Sequence, residues 1–277
     1  MRVSEHVAPQ LTALLAELHA VLPRLTSEQV DDEALHDLRV GLRRLRSLLR
    51  PLEPVYGGRA VATVRGALKA IADASSSLRD DEVLEPFLRQ LELPPATRLA
   101  LDRWLSLRQR RTQRARAFFA KGLADGRLAK ALEGVALLVA TPPKAKRDKA
   151  IIPFARKVVL SAQRKVDQAF VQSLDDAEGL HELRIAYKHL RYAIDGLETV
   201  LAPELVIMRD VAAKLQRRLG DLHDLDVAKM TILGARGLTL DHRNSIVSVL
   251  DLRRTKLVRK FQEDAGSRAK ALGTARD

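Results

Sequence analysis

One helical phrase occurs twice in this chain. Residues 35–50 read LHDLRVGLRRLRSLLR, and residues 180–195 read LHELRIAYKHLRYAID. His36 recurs as His181, Arg39 as Arg184, Arg43 as Lys188 and Arg46 as Arg191, each 145 positions on. At about 100° per residue, His36, Arg39, Arg43, Arg46 and Arg50 fall within about 80° of one another on a helix. Leu35, Leu38, Leu42, Leu45 and Leu49 fill the adjoining stripe. The pattern predicts an amphipathic helix that buries its leucines and carries a ladder of fixed positive charge along the wet edge. Rungs spaced ~5–6 Å per turn suit a polyanion better than a single small substrate. A face kept only for solubility mixes both signs, yet the 36–50 edge includes no acid among its five members. Asp195 stands where Arg50 stands, so the second ladder is shorter.

The balance of the whole chain agrees with that reading. Its 277 residues carry a net charge of +13, which predicts acidic partners such as nucleic acid, anionic membrane or phosphate polymers. Apolar residues make up 46% and charged residues 30%, the mixture of a globular protein rather than a disordered one. The absence of cysteine excludes disulfides, thiolate chemistry and cysteine zinc sites. No apolar run approaches the ~20 residues of a membrane helix. The start, MRVSEHVAPQL, lacks a signal-peptide pattern. These features read as a cytoplasmic protein without membrane insertion.

Good helix formers dominate, aromatics are only 4%, and β-branched alternation is nearly absent. Periodicity predicts helices near 5–23, 33–53, 59–78, 80–91, 96–124, 127–139, 152–173, 178–201, 204–219, 224–233 and 240–268. The segment TPPKAKRDK at 141–149 has two prolines and no apolar period, and it reads as a linker over 141–150 between halves 1–140 and 151–277. The repeat extends beyond its opening phrase. Arg65 matches Arg209 and LRDDEV (78–83) matches LHDLDV (222–227), both 144 positions on. RRTQRARAF (110–118) matches RRTKLVRKF (253–261) at 143. Four blocks in one order argue for an internal duplication. The expected fold is all-α: two four-helix bundles related by a pseudo-two-fold, with the ladders facing across the axis as a basic central channel.

The duplicated His-x-x-Arg-x-x-x-(Arg/Lys)-x-x-Arg, followed in each half by (Arg/His)-Asp-x-(Asp/Glu)-Val, resembles the CHAD domain, the conserved-histidine α-helical domain. The resemblance covers residues 5 to 268, and IIPFARKVV (151–159) is similar to the opening of that family's second half. It implies paired helical bundles around a basic surface, binding of inorganic polyphosphate and association with polyphosphate granules. Some members carry a CYTH triphosphatase domain. This chain has no ExExK near its start and resembles a stand-alone member. Three departures stand out. Ser75-Ser76-Ser77 occupies the place of Leu219-Gly220-Asp221, Lys69 is answered by Ala213 with Lys214 one residue on, and 5–23 is poorer in cations than 155–165.

Polyphosphate offers neither bases nor sugars, so its recognition rests on charge, hydrogen bonds and spacing. Arginine suits it because the planar guanidinium gives two bonds to phosphate oxygens. The expected contacts are Arg39, Arg43, Arg46 and Arg50, then Arg184, Lys188 and Arg191. Arg65, Lys69, Arg79, Arg209 and Lys214 stand second. His36 and His181 read either as phosphate donors, stronger below a pKa near 6.5, or as structural histidines bonded to a loop or an acid. Neither has a metal-ligand spacing, and no cofactor is implied. Asp80, Asp81 and Glu82, with Asp221, Asp224 and Asp226, read as helix caps and as ion-pair partners that position arginines. The other reading is Mg²⁺ coordination for hydrolysis. Trp104, Phe118, Phe119 and Phe261 read as core. The expected function is non-catalytic polyphosphate binding at granules. Nucleic-acid backbone binding and metal-dependent hydrolysis of polyphosphate or triphosphate remain as alternatives, the former disfavoured by scarce aromatics. Replacing Arg39, Arg43 and Arg46 by Glu is expected to abolish binding without unfolding.

Overall fold

A computed structural model describes residues 1–26, 32–123, 125–172 and 177–273; the side chains of Thr26, Asp32, Ser77, Arg79, Asp80, Asp81, Glu82, Gln172 and Ala177 and those beyond Ala265 lie outside the described residues. The protein is all-α. In chain order the helices are α1 (Val3–Thr26), α2 (Asp32–Leu49), α3 (Glu53–Tyr56), α4 (Gly58–Ala74), α5 (Ser76–Arg89), α6 (Pro95–Leu123), α7 (Arg127–Ala140), α8 (Ile151–Gln172), α9 (Ala177–Asp195), α10 (Pro203–Leu233) and α11 (Leu240–Gly273). Short 3-10 turns follow α2 and α9. Among the described residues there is no strand, only an isolated antiparallel bridge between Arg2 and Ala150.

The chain forms two compact units, each assembled from three segments. The first holds Met1–Ser76, Arg116–Arg164 and His189–Ile207. In it, α1 packs on α2 and α7, and α4 packs on the same two, closing a ring of four helices. Each helix supplies an apolar stripe: Val7, Leu11 and Leu18 of α1, Leu38, Leu42 and Leu45 of α2, Val61 and Leu68 of α4, and Leu128, Leu132 and Val135 of α7 are fully buried. Each such side chain contributes roughly 1.5–3 kcal/mol. At Gly41 the α1–α2 approach is close enough that a Cβ would stand 2.7 Å from a methyl carbon of Leu18.

The 141–150 segment belongs to this unit and is tied to the N-terminus. Val3 N donates to Lys149 O at 3.0 Å, and Arg2 donates a guanidinium N–H to Asp148 O at 2.8 Å. The Asp148 carboxylate accepts from Ser4 N at 3.1 Å and Ser4 Oγ at 2.5 Å. A carboxylate 144 residues away thus satisfies an open N–H in the first turn of α1 and complements its dipole.

The second unit holds Ser77–Ala115, Lys165–Lys188 and Met208–Asp277. Its core joins Leu84 and Leu88 of α5, Leu101 and Leu105 of α6, Leu225, Ala228 and Ile232 of α10, and Ile246 and Leu250 of α11. Phe87, Trp104 and Leu257 pack against this cluster. Each unit thus draws on segments from both sides of residues 141–150.

Two helix boundaries differ from expectation. The predicted break between 219 and 224 is absent, because α10 runs unbroken with Leu215, Leu219, Leu222 and Leu225 buried along one stripe. Gly220 is tolerated inside it at about 1 kcal/mol. At the matching place in the first half, Ser75 does end α4. Its N–H bonds to the carbonyls of Ile71 and Ala72, and its hydroxyl donates to Ala72 O at 2.8 Å.

Candidate anion-binding surfaces

In the first unit α2 presents the ladder from His36 to Arg46, and Arg50 follows in the 3-10 turn after it. Leu35, Leu38, Leu42, Leu45 and Leu49 are buried, so helical geometry fixes the cations on the flank of that stripe. Arg39 reaches the end of α4, where one guanidinium nitrogen donates to Ser75 O at 2.5 Å and Ser75 Oγ at 2.7 Å. The Arg43 guanidinium lies 5.7 Å from the Tyr192 ring centroid, and that of Arg191 lies 4.9 Å from the same ring. Arg50 is 2.6 Å from Nε2 of His189. From α4, Arg65 donates to Glu53 at 2.7 Å and Lys69 pairs with Asp73. Arg191 is 3.6 Å from Asp195.

These contacts gather Arg43, Arg46, Arg50, Arg65, His189 and Arg191 into one basic surface. Burial, and then the neighbouring Arg65, press the Arg50 guanidinium below its ordinary value, with Glu53 opposing. Burial also lowers Arg46, against attraction from Asp73, and Arg65 adds to the lowering. Both guanidinium groups, Arg46 and Arg50, stay charged at neutral pH. Among the described residues, the Nε atoms of Arg43 and Arg65 are buried without a hydrogen-bond partner. The surface is crowded with like charge, and Glu53 and Asp73 balance it only in part. A ligand with several anionic oxygens relieves that repulsion. His36 is exposed and, among the described residues, makes no hydrogen bond or ion pair.

The second unit carries the start of the other ladder. His181, Arg184 and Lys188 of α9 meet His223 of α10, and the two imidazoles lie 4.9 Å apart with their planes at 47°. Burial lowers Arg184, and Asp224 opposes that effect. The Arg184 Nε is buried without a hydrogen-bond partner among the described residues. Burial, then Arg184 and His181, push His223 down to about 4. Burial, then Arg184 and Lys188, hold His181 below its ordinary value as well. Near neutral pH both rings are uncharged and donate only as neutral imidazoles.

Lys214 and Arg209 are engaged with acids. Lys214 pairs with Asp264 at 2.7 Å, Arg218 donates to the same carboxylate at 3.1 Å, and Arg209 is 3.4 Å from Asp210. Arg79 lies outside the described residues, as do Asp80, Asp81 and Glu82. Asp221, Asp224 and Asp226 are not helix caps, because α10 passes through all three. Their ion-pair role holds for Asp226, which accepts from Arg254 at 2.7 Å. Among the described residues no group of three His, Cys, Asp or Glu side chains converges as a metal site requires. Phe261 is buried as expected, while Phe118 is 80% exposed and is not core.

His189, Tyr192 and His223 were missed by the sequence reading. His189 and Tyr192 stand where the first copy has Arg44 and Ser47, so the repeat gave no signal for them. His223 had one: it occupies the place of Arg79 in the LRDDEV/LHDLDV match.

The CHAD domain family model matches residues 7–233. The chain belongs to the CHAD domain family. Among solved structures, the CHAD domain from the plant Ricinus communis is similar at a TM-score of 0.64 and 21% identity, covering 93% of this chain and 86% of that one. PptA from Streptomyces chartreusis is similar at a TM-score of 0.64 and 19% identity, covering 96% of this chain and all of that one. At such identities the likeness is one of fold, and it extends the CHAD architecture over nearly the whole chain. No curated protein sequence matches this CHAD protein. Among the described residues no helix is long and apolar enough to cross a membrane.

Proposed function

We propose that this CHAD protein binds inorganic polyphosphate without cleaving it, and that this binding recruits it to polyphosphate granules. The observation that carries the reading is the surface in the first unit, where Arg65 stands in the field of both Arg46 and Arg50 with Arg43 on the same helical flank; Arg43, Arg46 and Arg65 are half-buried and Arg50 is exposed. Guanidinium groups held in this way need little reordering to meet a polymer of phosphates, which lowers the entropic cost of binding. Their spacing along α2 repeats at about one turn, ~5.4 Å. The Tyr192 ring lies within cation–π reach of both Arg43 and Arg191. Family membership and net charge point the same way.

Titration of long-chain polyphosphate into the protein at low and moderate salt tests the reading, with duplex DNA and RNA at equal phosphate concentration as competitors. Preferential polyphosphate binding that weakens steeply with salt, and that is lost in the R43E/R46E variant, supports it. Equal affinity for all three polymers replaces it with generic polyanion binding. Metal-dependent release of phosphate replaces it with hydrolysis.

A further inference from the structure

Among the described residues the His181–His223 pair has no counterpart in the surface on α2, and its surroundings give it a distinct chemistry. From α9 the pair is faced by His181 itself, Glu182, Arg184 and Lys188. From α10 it is faced by Asp226, with Asp224 beside Arg184. From α11, Arg254 reaches the same neighbourhood and takes Asp226 in a 2.7 Å bond. Asp224 and Asp226 thus each attend an arginine, and the pair is left beside Arg184 and Lys188. Two rings at 4.9 Å cannot both carry a proton comfortably in that field.

We propose that His223 is an anion ligand of this surface, and that a phosphate polymer binds there together with a proton taken up by the imidazole pair. The proposal rests on the polyphosphate reading above and deepens it. The proton comes from solvent to an imidazole nitrogen, and no covalent bond of the polymer changes. The physical reason is reciprocal. Arg184 and Lys188 oppose a charged imidazole, but a polyanion drawn in by the same two cations favours one. A neutral imidazole offers the polymer one N–H, whereas the charged ring offers two, each charge-assisted. Affinity at this surface therefore rises as pH falls, although every arginine keeps its charge throughout. The free pair, with His223 held at about 4, stays uncharged until the anion arrives.

Calorimetric titration of the full chain with long-chain polyphosphate, at about pH 6 and about pH 8 in two buffers of different ionisation enthalpy, counts the protons taken up. Long chains serve because internal phosphates scarcely titrate in this range and ends are few. The expected result is net proton uptake near pH 6, with affinity weakening by up to about tenfold per pH unit as pH rises. H223Q is expected to bind with reduced uptake and a flatter pH profile. H223K, a fixed cation, is expected to keep its affinity at the higher pH. Both variants retain His36, His181 and His189, so the difference reports His223. Helical circular dichroism confirms that each is folded. Polyphosphate binding without proton uptake, or uptake undiminished in H223Q, overturns the proton-coupled role and leaves the function standing. Loss of polyphosphate binding by the native protein at both pH values overturns both.

Discussion

Single side chains in this protein carry unequal loads that their common charge conceals. Arg39 holds α2 to the end of α4 through Ser75, a buried serine. Arg39→Gln is therefore expected to lose about 1–2 kcal/mol of stability, seen as a lower urea midpoint, as well as ligand affinity. Arg43→Gln loses only the contact with Tyr192, about 0.5–1 kcal/mol, and its larger effect falls on polyphosphate titration. Arg39 therefore reports on stability and binding together, and replacing Arg39, Arg43 and Arg46 by Glu is expected to abolish binding without unfolding, at some cost in stability through Ser75. His223 adds a pH term. Its folded value of about 4 lies below the ordinary 6.5, so the unfolded chain takes up the proton first. Stability accordingly falls as pH drops from 6.5 toward 4 and levels off below. The ring is only half-buried and solvent screens it, so the loss is on the order of 1–2 kcal/mol. Thermal unfolding at a series of pH values, with H223Q showing the shallower decline, checks this.

At the scale of the helix, the leucine stripe of α2 was legible because periodicity is a local property. Position, spacing and flank follow from the 3.6-residue turn alone. Leu42→Asp places an unpaired charge in the closed ring of the first unit and is expected to unfold it, while Leu42→Ala costs about 2–5 kcal/mol. Gly41 tests the helix crossing. In an isolated helix Gly→Ala gains about 1 kcal/mol, but here the new methyl meets buried Leu18 at 2.7 Å. Overpacking at about 1–3 kcal/mol wins, so G41A is expected to lower the thermal midpoint. Helix ends were less legible. Leu219-Gly220-Asp221 looks like a terminus, yet burial of leucines on both sides carries α10 through it. Ser75 looks much the same in sequence and does end α4, where the Ser75 and Ser76 hydroxyls both donate to the Ala72 carbonyl.

Across the whole molecule, the two compact units each draw on both halves of the sequence. Fragments 1–140 and 151–277 expressed apart leave α5 and the first part of α6 without α10 and α11, their partners in the second core. Each fragment is expected to be poorly folded alone, with helical signal and a cooperative transition recovered on mixing. Net charge acts at this scale too. At +13, saturation with polyphosphate at low salt is expected to raise the unfolding temperature by several degrees and to lose that effect as salt increases. The all-α class, the buried stripe of α2, the cationic ladder and its family were legible from residues 35–50 and 180–195, because a helix announces its faces through spacing alone. The tertiary structure decided which cations are engaged and which are crowded together. It brought Asp148 to the start of α1, Asp264 to Lys214, and His223 to within 4.9 Å of His181. Charge state and pairing depend on neighbours that are distant in the chain, and no local pattern encodes those.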